Sequence, residues 1–182
     1  MQSHDMTCPT PVVSGERLFL RLFTEADLTA DYIRWLNDPE IVRFSNQRIR
    51  HHDEESCRAY LRTFEDSDNL FLAICLANDG RLIGTMTAYV SPHHGTADMG
   101  LLIGDRSLWG QGLGLEAWCL LMHYLLQTRK LRKITGGTLR CNVGMVRIME
   151  RSGMRLEAAR MQQEIVEGEP QDILYFAKFR SD

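Results

Sequence analysis

The segment Trp109–Gly114, which reads WGQGLG, carries three glycines in five positions. Glycine lacks a side chain, so the backbone N–H groups of such a segment can approach a ligand closely. An apolar run over 99–103 precedes the segment, and a run with helical spacing over 113–128 follows it. Because a helix carries its positive end at its N-terminus, this strand, turn and helix predict a site for phosphate or pyrophosphate. The alternative is a tight turn that binds no ligand.

The glycine segment fits neither of the two common nucleotide-binding motifs. A Walker loop has Lys and then Ser or Thr after its last glycine, whereas Leu115 and Glu116 follow Gly114. A dinucleotide fingerprint has the spacing G-x-G-x-x-G, whereas the spacing here is G-x-G-x-G. The sequence therefore predicts an anion-binding turn of another kind.

The composition of the whole chain excludes several classes of protein. With 182 residues and 44% hydrophobic content, we expect a single globular domain over 15–182 and a flexible tail over 1–14. The net charge is −3 and the basic residues are spread along the chain, which argues against a nucleic-acid partner. No apolar run approaches the roughly 20 residues of a membrane span, and residues 1–15 lack the apolar core of a signal peptide.

The five cysteines indicate a reduced, cytoplasmic protein. Their number is odd, they form no C-x-x-C pair, and Cys75 and Cys119 fall inside apolar runs. We therefore expect neither a disulfide nor structural zinc. The histidine pairs at 51–52 and 93–94 have no further ligands at metal spacing, so no metal site is expected.

Hydrophobic periodicity predicts seven strands and four helices. The predicted strands cover 16–23, 70–77, 81–90, 96–103, 133–139, 155–166 and 172–179. The predicted helices cover 24–36, 52–64, 113–128 and 142–152. The turn Asn78-Asp79-Gly80 favours a hairpin, so the three strands between 70 and 103 should form an antiparallel meander. The strand at 133–139 follows a helix and should therefore run parallel to the strand at 96–103.

The glycine segment resembles the signature of the GNAT superfamily of acyl-CoA N-acyltransferases, Q/R-x-x-G-x-G/A. Gly112 and Gly114 occupy the two small positions, and Trp109 stands where Gln or Arg is usual. The longer pattern W-G-x-G-x-G-x-E-A over 109–117 is similar to the branch that acetylates ribosomal-protein N-termini, polyamines and amino sugars.

Two further blocks carry the same resemblance. Residues 142–154 resemble N-x-x-S-x-R-V-x-E-K-x-G-F, and residues 35–39, W-L-N-D-P, match after the first helix. The matching residues of the first of these blocks are Asn142, Arg147, Glu150 and Gly153. The predicted order of elements also agrees, so the resemblance covers about 15–180.

The resemblance implies an α+β fold with three α/β/α layers. Its centre would be a mixed, mostly antiparallel and splayed sheet of about seven strands, flanked by about four helices. The strand around Ile103 would separate from the strand around Leu139, and the pantetheine arm of acetyl-CoA, the implied co-substrate, would lie in the gap. Many relatives dimerise, so a homodimer is expected.

The resemblance also implies the residues that bind the cofactor. Its pyrophosphate would bind the backbone N–H groups of Trp109, Gly110, Gln111, Gly112, Leu113 and Gly114. A backbone N–H near Leu102 or Ile103 would bond the thioester oxygen, whose charge grows in the transition state, and so act as an oxyanion hole. Asn142 would reach the pantetheine amides, cap a helix, or do both, and Arg147 would belong to the same site.

Asp98 is the candidate general base. An amine attacks only when neutral, so a base or a water chain must take its proton, and strand alternation puts Asp98 and Leu102 on one face. The alternatives are a structural carboxylate or one that binds a substrate cation. Met145 and Met149 stand where relatives carry a Ser or Tyr proton donor, so the thiolate would leave unprotonated or be protonated by water.

The acceptor is expected to lie between segment 30–50 and the final hairpin. Trp35, Phe44, His93 and Tyr175 are the expected wall residues. The predicted function is acetyl transfer from acetyl-CoA to a primary amine, by direct attack in a ternary complex. An amino sugar or other small amine is the first candidate acceptor, and a ribosomal-protein-like peptide N-terminus is the second. A CoA-binding module without catalysis is the alternative from another class.

Overall fold

The computed structural model describes residues 10–181, and these contain one eight-stranded sheet in the order β1-β2-β3-β4-β5-β6-β8-β7. The strands are β1 (Pro11–Ser14), β2 (Leu18–Leu22), β3 (Leu70–Leu76), β4 (Leu82–Ser91), β5 (Thr96–Ile103), β6 (Lys133–Leu139), β7 (Arg155–Val166) and β8 (Glu169–Phe179). All neighbouring strands of the sheet are antiparallel except β5 and β6, which are parallel.

Four α-helices cover the sheet. They are α1 (Ala30–Asn37), α2 (Glu54–Arg62), α3 (Leu113–His123) and α4 (Val143–Arg151), and a π-helical turn, Tyr124–Thr128, extends α3. Short 3-10 turns lie at Glu25–Asp27, Asn46–Ile49, Pro92–His94 and Arg106–Leu108. No helix in this described part of the chain is long and apolar enough to cross a membrane.

Two hydrophobic cores hold the layers together, one on each face of the sheet. On one face α3 and α4 pack around the fully buried Trp118. On the other face α1 and α2 pack through Tyr32, Trp35 and Phe71. Burial of apolar surface on both faces is what makes the sheet the middle layer. The expected three-layer α+β fold is therefore confirmed.

The sheet opens between β5 and β6. Their parallel pairing covers only Thr96–Asp98 against Lys133–Thr135. Beyond this point β5 continues beside β4 to Ile103, and β6 continues beside β8 to Leu139. The two strands diverge after Asp98, which leaves a gap in the middle of the sheet. The splayed sheet expected from the resemblance contains the same gap.

Three details differ from the sequence prediction. Residues 11–14, expected in a flexible tail, pair with β2 as strand β1, whereas residues 1–9 lie outside the described part. The final hairpin turns tightly at Glu167 and Gly168, whose φ values are 52° and 85°, so β8 begins earlier than expected, at Glu169. A two-residue turn of this kind continues the twist of the strands.

The first predicted helix is divided into two pieces. Thr24 caps only the short turn Glu25–Asp27, because the Asp27 carboxylate accepts hydrogen bonds from the Thr24 N–H and from the buried Arg21. Helix α1 has its own cap, since the Thr29 hydroxyl accepts from the Tyr32 N–H at 3.2 Å. The helix is shorter than expected because it begins after the capping residue Thr29 and not after Thr24.

Candidate active site

The glycine segment forms the turn before α3, as expected. Gly110 and Gly112 have φ values of 76° and 81°, in the left-handed region that favours glycine, and Gly112 directly precedes the first helical residue. The N–H groups of Leu113 and Gly114 lie in the first turn of the helix, where intrahelical acceptors are absent. The segment thus presents free donors and a positive helix end to whatever lies in front of it.

A cleft of about 860 Å³ passes through the gap between β5 and β6. One end is lined by the glycine turn and α4, and the other end by residues 40–46 and the hairpin of β7 and β8. Twelve of the sequence-predicted site residues line it: Phe44, Asp98, Leu102, Ile103, Trp109, Gly110, Gly112, Leu113, Gly114, Asn142, Arg147 and Tyr175. Within residues 10–181 no cluster of three His, Cys, Asp or Glu side chains could hold a metal ion.

Three expected site residues do not line the cleft. Trp35, a residue of α1, is buried in the core, where its ring covers Gly104 so closely that a Cβ there would lie 2.0 Å from the indole. Burying this large ring stabilises the core, so Trp35 is not an acceptor wall. His93 lies in the turn before β5, and the gap opens in the opposite direction, after Asp98.

Gln111 faces away from the cleft. Its side-chain Nε2 donates to the Ser107 carbonyl at 2.9 Å, and its own carbonyl accepts from Arg17 at 2.8 Å. Only the backbone N–H of Gln111 is therefore available to a ligand of the glycine turn.

The register of β5 distinguishes between the two expected oxyanion donors. The Gly104 N–H donates to the Ile83 carbonyl of β4 at 2.9 Å. Because hydrogen-bonding directions alternate along a strand, the Leu102 amide points toward β4 and the Ile103 amide toward the gap. The Trp109 indole N–H donates to the Ile103 carbonyl from the gap side at 2.9 Å, which agrees with this assignment.

The same alternation turns the Leu101 amide toward the gap. Leu101 lines the cleft and lies two residues nearer to Asp98 than Ile103 does. Sequence reasoning missed this donor, because only the register against β4 distinguishes the strand's two edges.

Asn142 caps α4, and its Oδ1 accepts from the Met145 N–H at 3.2 Å. The cap uses only Oδ1, so the side-chain amide nitrogen of Asn142 can donate a hydrogen bond to a ligand in the cleft. Met149 is buried, and the thioethers of Met145 and Met149 cannot donate a proton.

Two arginines stand one helical turn apart on α4. Arg147 and Arg151 both line the cleft. Their guanidinium groups add positive charge at the end of the cleft where the glycine turn lies, which suits a phosphate-bearing ligand. The sequence comparison indicated Arg147 but not Arg151.

Asp98 lies where β5 and β6 part. The Thr135 hydroxyl donates to its Oδ1 at 2.9 Å, and Tyr89 is its partner across β4. The carboxylate reaches solvent along the cleft, yet the protein around it raises its pKa by desolvation, and the Thr135 hydrogen bond opposes that shift. A carboxylate with a raised pKa is a stronger base, and Oδ2 remains available for a proton.

The far end of the cleft lies between Phe44 and Tyr175. The Tyr175 ring covers Gly137, where a Cβ would lie 3.1 Å from the ring, and the Arg160 guanidinium sits 5.1 Å from its centroid. Both aromatic side chains line the cleft beside Glu164.

Salt bridges connect segment 40–49 to β7 and to the turn that follows it, across this end of the cleft. Arg48 Nη2 lies 3.1 Å from Glu164 Oε2, with only 16% and 23% of the two side chains exposed. Arg43 holds Glu167 through two hydrogen bonds of 2.8 and 2.9 Å. These partners are more than a hundred residues apart in sequence, so no local pattern could have indicated the pairing.

The comparisons with known proteins agree with this geometry. The family described as "Acetyltransferase (GNAT) domain" matches residues 17–155. The Bacillus subtilis (strain 168) protein named "Probable N-acetyltransferase YjcK" is 30% identical over 100 residues. That alignment covers 54% of this chain and 55% of the other, so the chain spans about half the length of the curated relative.

Solved structures share the whole fold. Spermidine N-acetyltransferase from Vibrio cholerae, in complex with CoA and spermine, is 18% identical with a TM-score of 0.82 over 91% of this chain and 97% of its own. A ribosomal L7/L12 alpha-N-protein acetyltransferase in complex with coenzyme A is 17% identical with a TM-score of 0.80, over 91% and 95%. Together with the family match over most of its length, this shows that the chain belongs to the GNAT acetyltransferase family.

Proposed function

We propose that this protein transfers an acetyl group from acetyl-CoA to a primary amine by direct attack in a ternary complex. The observation that carries the proposal is that the glycine turn and the Asp98 carboxylate line one continuous cleft. A thioester bound from one end of this cleft can meet an amine bound from the other end. Holding two reactants in one geometry is a large part of the catalysis of such transfers.

The cleft has donors suited to acetyl-CoA along its length. The N–H groups of Leu113 and Gly114 and the guanidinium of Arg147 would bind its phosphates, and the Asn142 amide its pantetheine arm. The Ile103 or Leu101 amide would stabilise negative charge on the thioester oxygen. When bound, acetyl-CoA supplies an acetyl thioester with a thiolate leaving group.

Asp98 would take the proton of the attacking amine, directly or through a water molecule. Thr135 holds Oδ1, so the proton would go to Oδ2. With methionines at 145 and 149, the thiolate would leave unprotonated or take its proton from water, as an ordinary thiol pKa of about 8.5 permits.

The salt bridges across the acceptor end favour a small amine, such as an amino sugar, over a peptide N-terminus. Arg48 also donates to the Ile165 carbonyl at 3.2 Å, and Asn46 donates to Glu164 at 3.2 Å. A polypeptide lying between segment 40–49 and β7 would have to break these contacts. Relatives in fold act on both spermidine and a ribosomal protein, so the fold alone does not choose.

We expect the wild-type enzyme to release thiol from acetyl-CoA faster with small primary amines than with N-terminal peptides. The assay is a panel of amino sugars, polyamines and peptides, read by free thiol and by mass of the acetylated product. Arg48→Met should raise the peptide-to-amine ratio of kcat/KM by about fivefold, which corresponds to an ion-pair contribution of roughly 1 kcal/mol.

The matched control is Arg58→Met, because Arg58 pairs with Glu54 on the outer surface of α2. A wild-type preference for peptides would contradict the small-amine acceptor and favour the second candidate function, a peptide N-terminal acetyltransferase. Acetyl-CoA binding without transfer to any amine would favour the non-catalytic module.

We also propose a homodimer formed through β7, one of the two edge strands of the sheet. Leu156, Met161 and Ile165 on this strand are 55%, 69% and 60% exposed, and an unpaired edge readily adds a strand from a second copy. Sedimentation at micromolar concentration should show a dimer, and Met161→Lys should shift it toward monomer, whereas Leu22→Lys on β2 should not. A wild-type monomer would contradict the proposal.

A reducing, cytoplasmic setting is part of the same proposal. Cys57 and Cys75 are buried, and no disulfide forms among the cysteines of residues 10–181. Burial raises the pKa of Cys57, which keeps the thiol protonated and unreactive.

A further inference from the structure

Arg17, just before β2, contacts the glycine turn from behind. Its Nη1 donates to the Gln111 carbonyl at 2.8 Å, and its Nε donates to Glu116 Oε2 at 2.7 Å. Its backbone N–H donates to Glu116 Oε1 at 2.9 Å. Its Nη2 lies 3.5 Å from the position that a Cβ on Gly112 would take. Arg17 does not line the cleft, so it supports the turn without forming its ligand-facing side.

The first contact fixes the direction of a backbone donor. In a trans peptide the C=O of Gln111 and the N–H of Gly112 point in opposite directions. While Arg17 holds that carbonyl behind the turn, the Gly112 N–H must point to the front. Glycine at position 112 allows this peptide to flip, because both signs of φ are open to it. A hydrogen bond to the carbonyl therefore selects one of two orientations.

The second contact offsets a charge. Glu116 lies in the first turn of α3, where a carboxylate interacts favourably with the helix dipole. The same carboxylate would repel an anion bound at this helix end. Two hydrogen bonds from Arg17 engage both of its oxygens and place a positive charge beside it.

We propose that Arg17 is a positioning residue for the cofactor's pyrophosphate. It selects the orientation of the Gln111–Gly112 peptide that presents an N–H to the anion, and it offsets the negative charge of Glu116. This inference rests on the proposed function, since it takes the anion to be the pyrophosphate of an acyl-CoA.

The test is calorimetric binding of acetyl-CoA to the full-length protein and four variants. Arg17→Met should weaken binding by about tenfold, because it removes a charged hydrogen bond and exposes the Glu116 charge. Arg17→Lys keeps the charge but not the planar set of guanidinium donors, so the acetyl-CoA affinity of this variant should lie between those of the wild-type protein and Arg17→Met. Glu116→Gln added to Arg17→Met should recover part of the loss, which a purely structural role would not produce. Arg58→Met is the control for loss of a surface arginine.

Thermal unfolding of each variant shows that the fold is retained. Wild-type affinity in a folded Arg17→Met variant would overturn this inference alone. An Arg17→Met loss that the double variant does not relieve would overturn the charge-offsetting role. Absence of acetyl-CoA binding by the wild-type protein would overturn the proposed function and this inference together.

Discussion

Asp98→Asn is expected to lower kcat by about 10²-fold or more, the range usual for loss of a general base. Asparagine keeps the size of the side chain and can still accept the hydrogen bond from Thr135, but it cannot take a proton. Acetyl-CoA affinity should hardly change, because Asp98 lies at the point where the strands part, whereas the glycine turn lies at one end of the cleft. Steady-state kinetics with the best acceptor, together with calorimetry, measure both quantities.

The pH dependence gives this prediction a second readout. Asp98 must be ionised to act, so wild-type kcat/KM should rise with pH through its raised pKa. The deficit of Asp98→Asn should shrink at high pH, where more of the amine is already neutral. The pKa of Asp98 is higher in the folded protein than in the unfolded chain. Folding is therefore destabilised at pH values above this pKa, where Asp98 must ionise, and it is unaffected at lower pH, where Asp98 is protonated in both states. Asp98→Asn should therefore keep or raise the melting temperature at neutral pH.

The competing role for Asp98 predicts a different kinetic pattern. If it only binds a substrate cation, the acceptor KM should rise while kcat holds. Asp31→Asn is a matched control, since Asp31 is an exposed carboxylate of α1 paired with Arg34. Wild-type kcat in Asp98→Asn would rule out the base role and leave proximity as the main catalytic device.

Local patterns were enough to predict most of the fold. The antiparallel meander of β3, β4 and β5 follows from three alternating runs and the turn at Asn78-Asp79-Gly80. The parallel β6 follows from the helix that precedes it, and the turn before α3 follows from its glycines. These features depend on neighbours in sequence, where periodicity and turn chemistry act directly.

The errors concern contacts that depend on tertiary structure. Trp35 follows Tyr32 by three residues and precedes Leu36, so helical spacing already indicated a core stripe. We expected Trp35 in the acceptor wall because segment 30–50 was expected to face the acceptor, whereas its side chain is buried in the core. Arg48 and Glu164 offered no comparable signal, since an isolated charge on a turn and one on a strand can face many partners.

The free oxygen of Asp98 and the Arg17 contacts arise from strand pairing that the sequence does not specify. Thr135 reaches Asp98 because the last rung of the parallel pair falls at these two residues. Shifting the register by one residue would turn Thr135 to the opposite face. The geometry around Asp98 is therefore more sensitive to register than the fold is.

Gly112→Asp is expected to weaken acetyl-CoA binding by about 10²-fold or more with the fold intact. A carboxylate at this helix end would stand beside the phosphates, and two unit charges about 4 Å apart repel by about 4 kcal/mol at a surface-like dielectric. The φ of 81° at Gly112 adds some strain, although aspartate tolerates the left-handed region better than most residues. Calorimetry with acetyl-CoA measures the loss.

Two companion variants separate charge from strain. Gly80→Asp adds the same side chain at a similar φ of 72° in the β3–β4 turn, away from the cleft, and should leave acetyl-CoA affinity unchanged. Gly112→Asn places a neutral side chain of the same size at the helix end and should lose much less affinity than Gly112→Asp. If Gly112→Asp folds and binds acetyl-CoA as the wild-type protein does, then the anion is not held at the N-terminus of α3. In that case the glycine turn is only a connection between strand and helix, and the cofactor phosphates must bind elsewhere in the cleft.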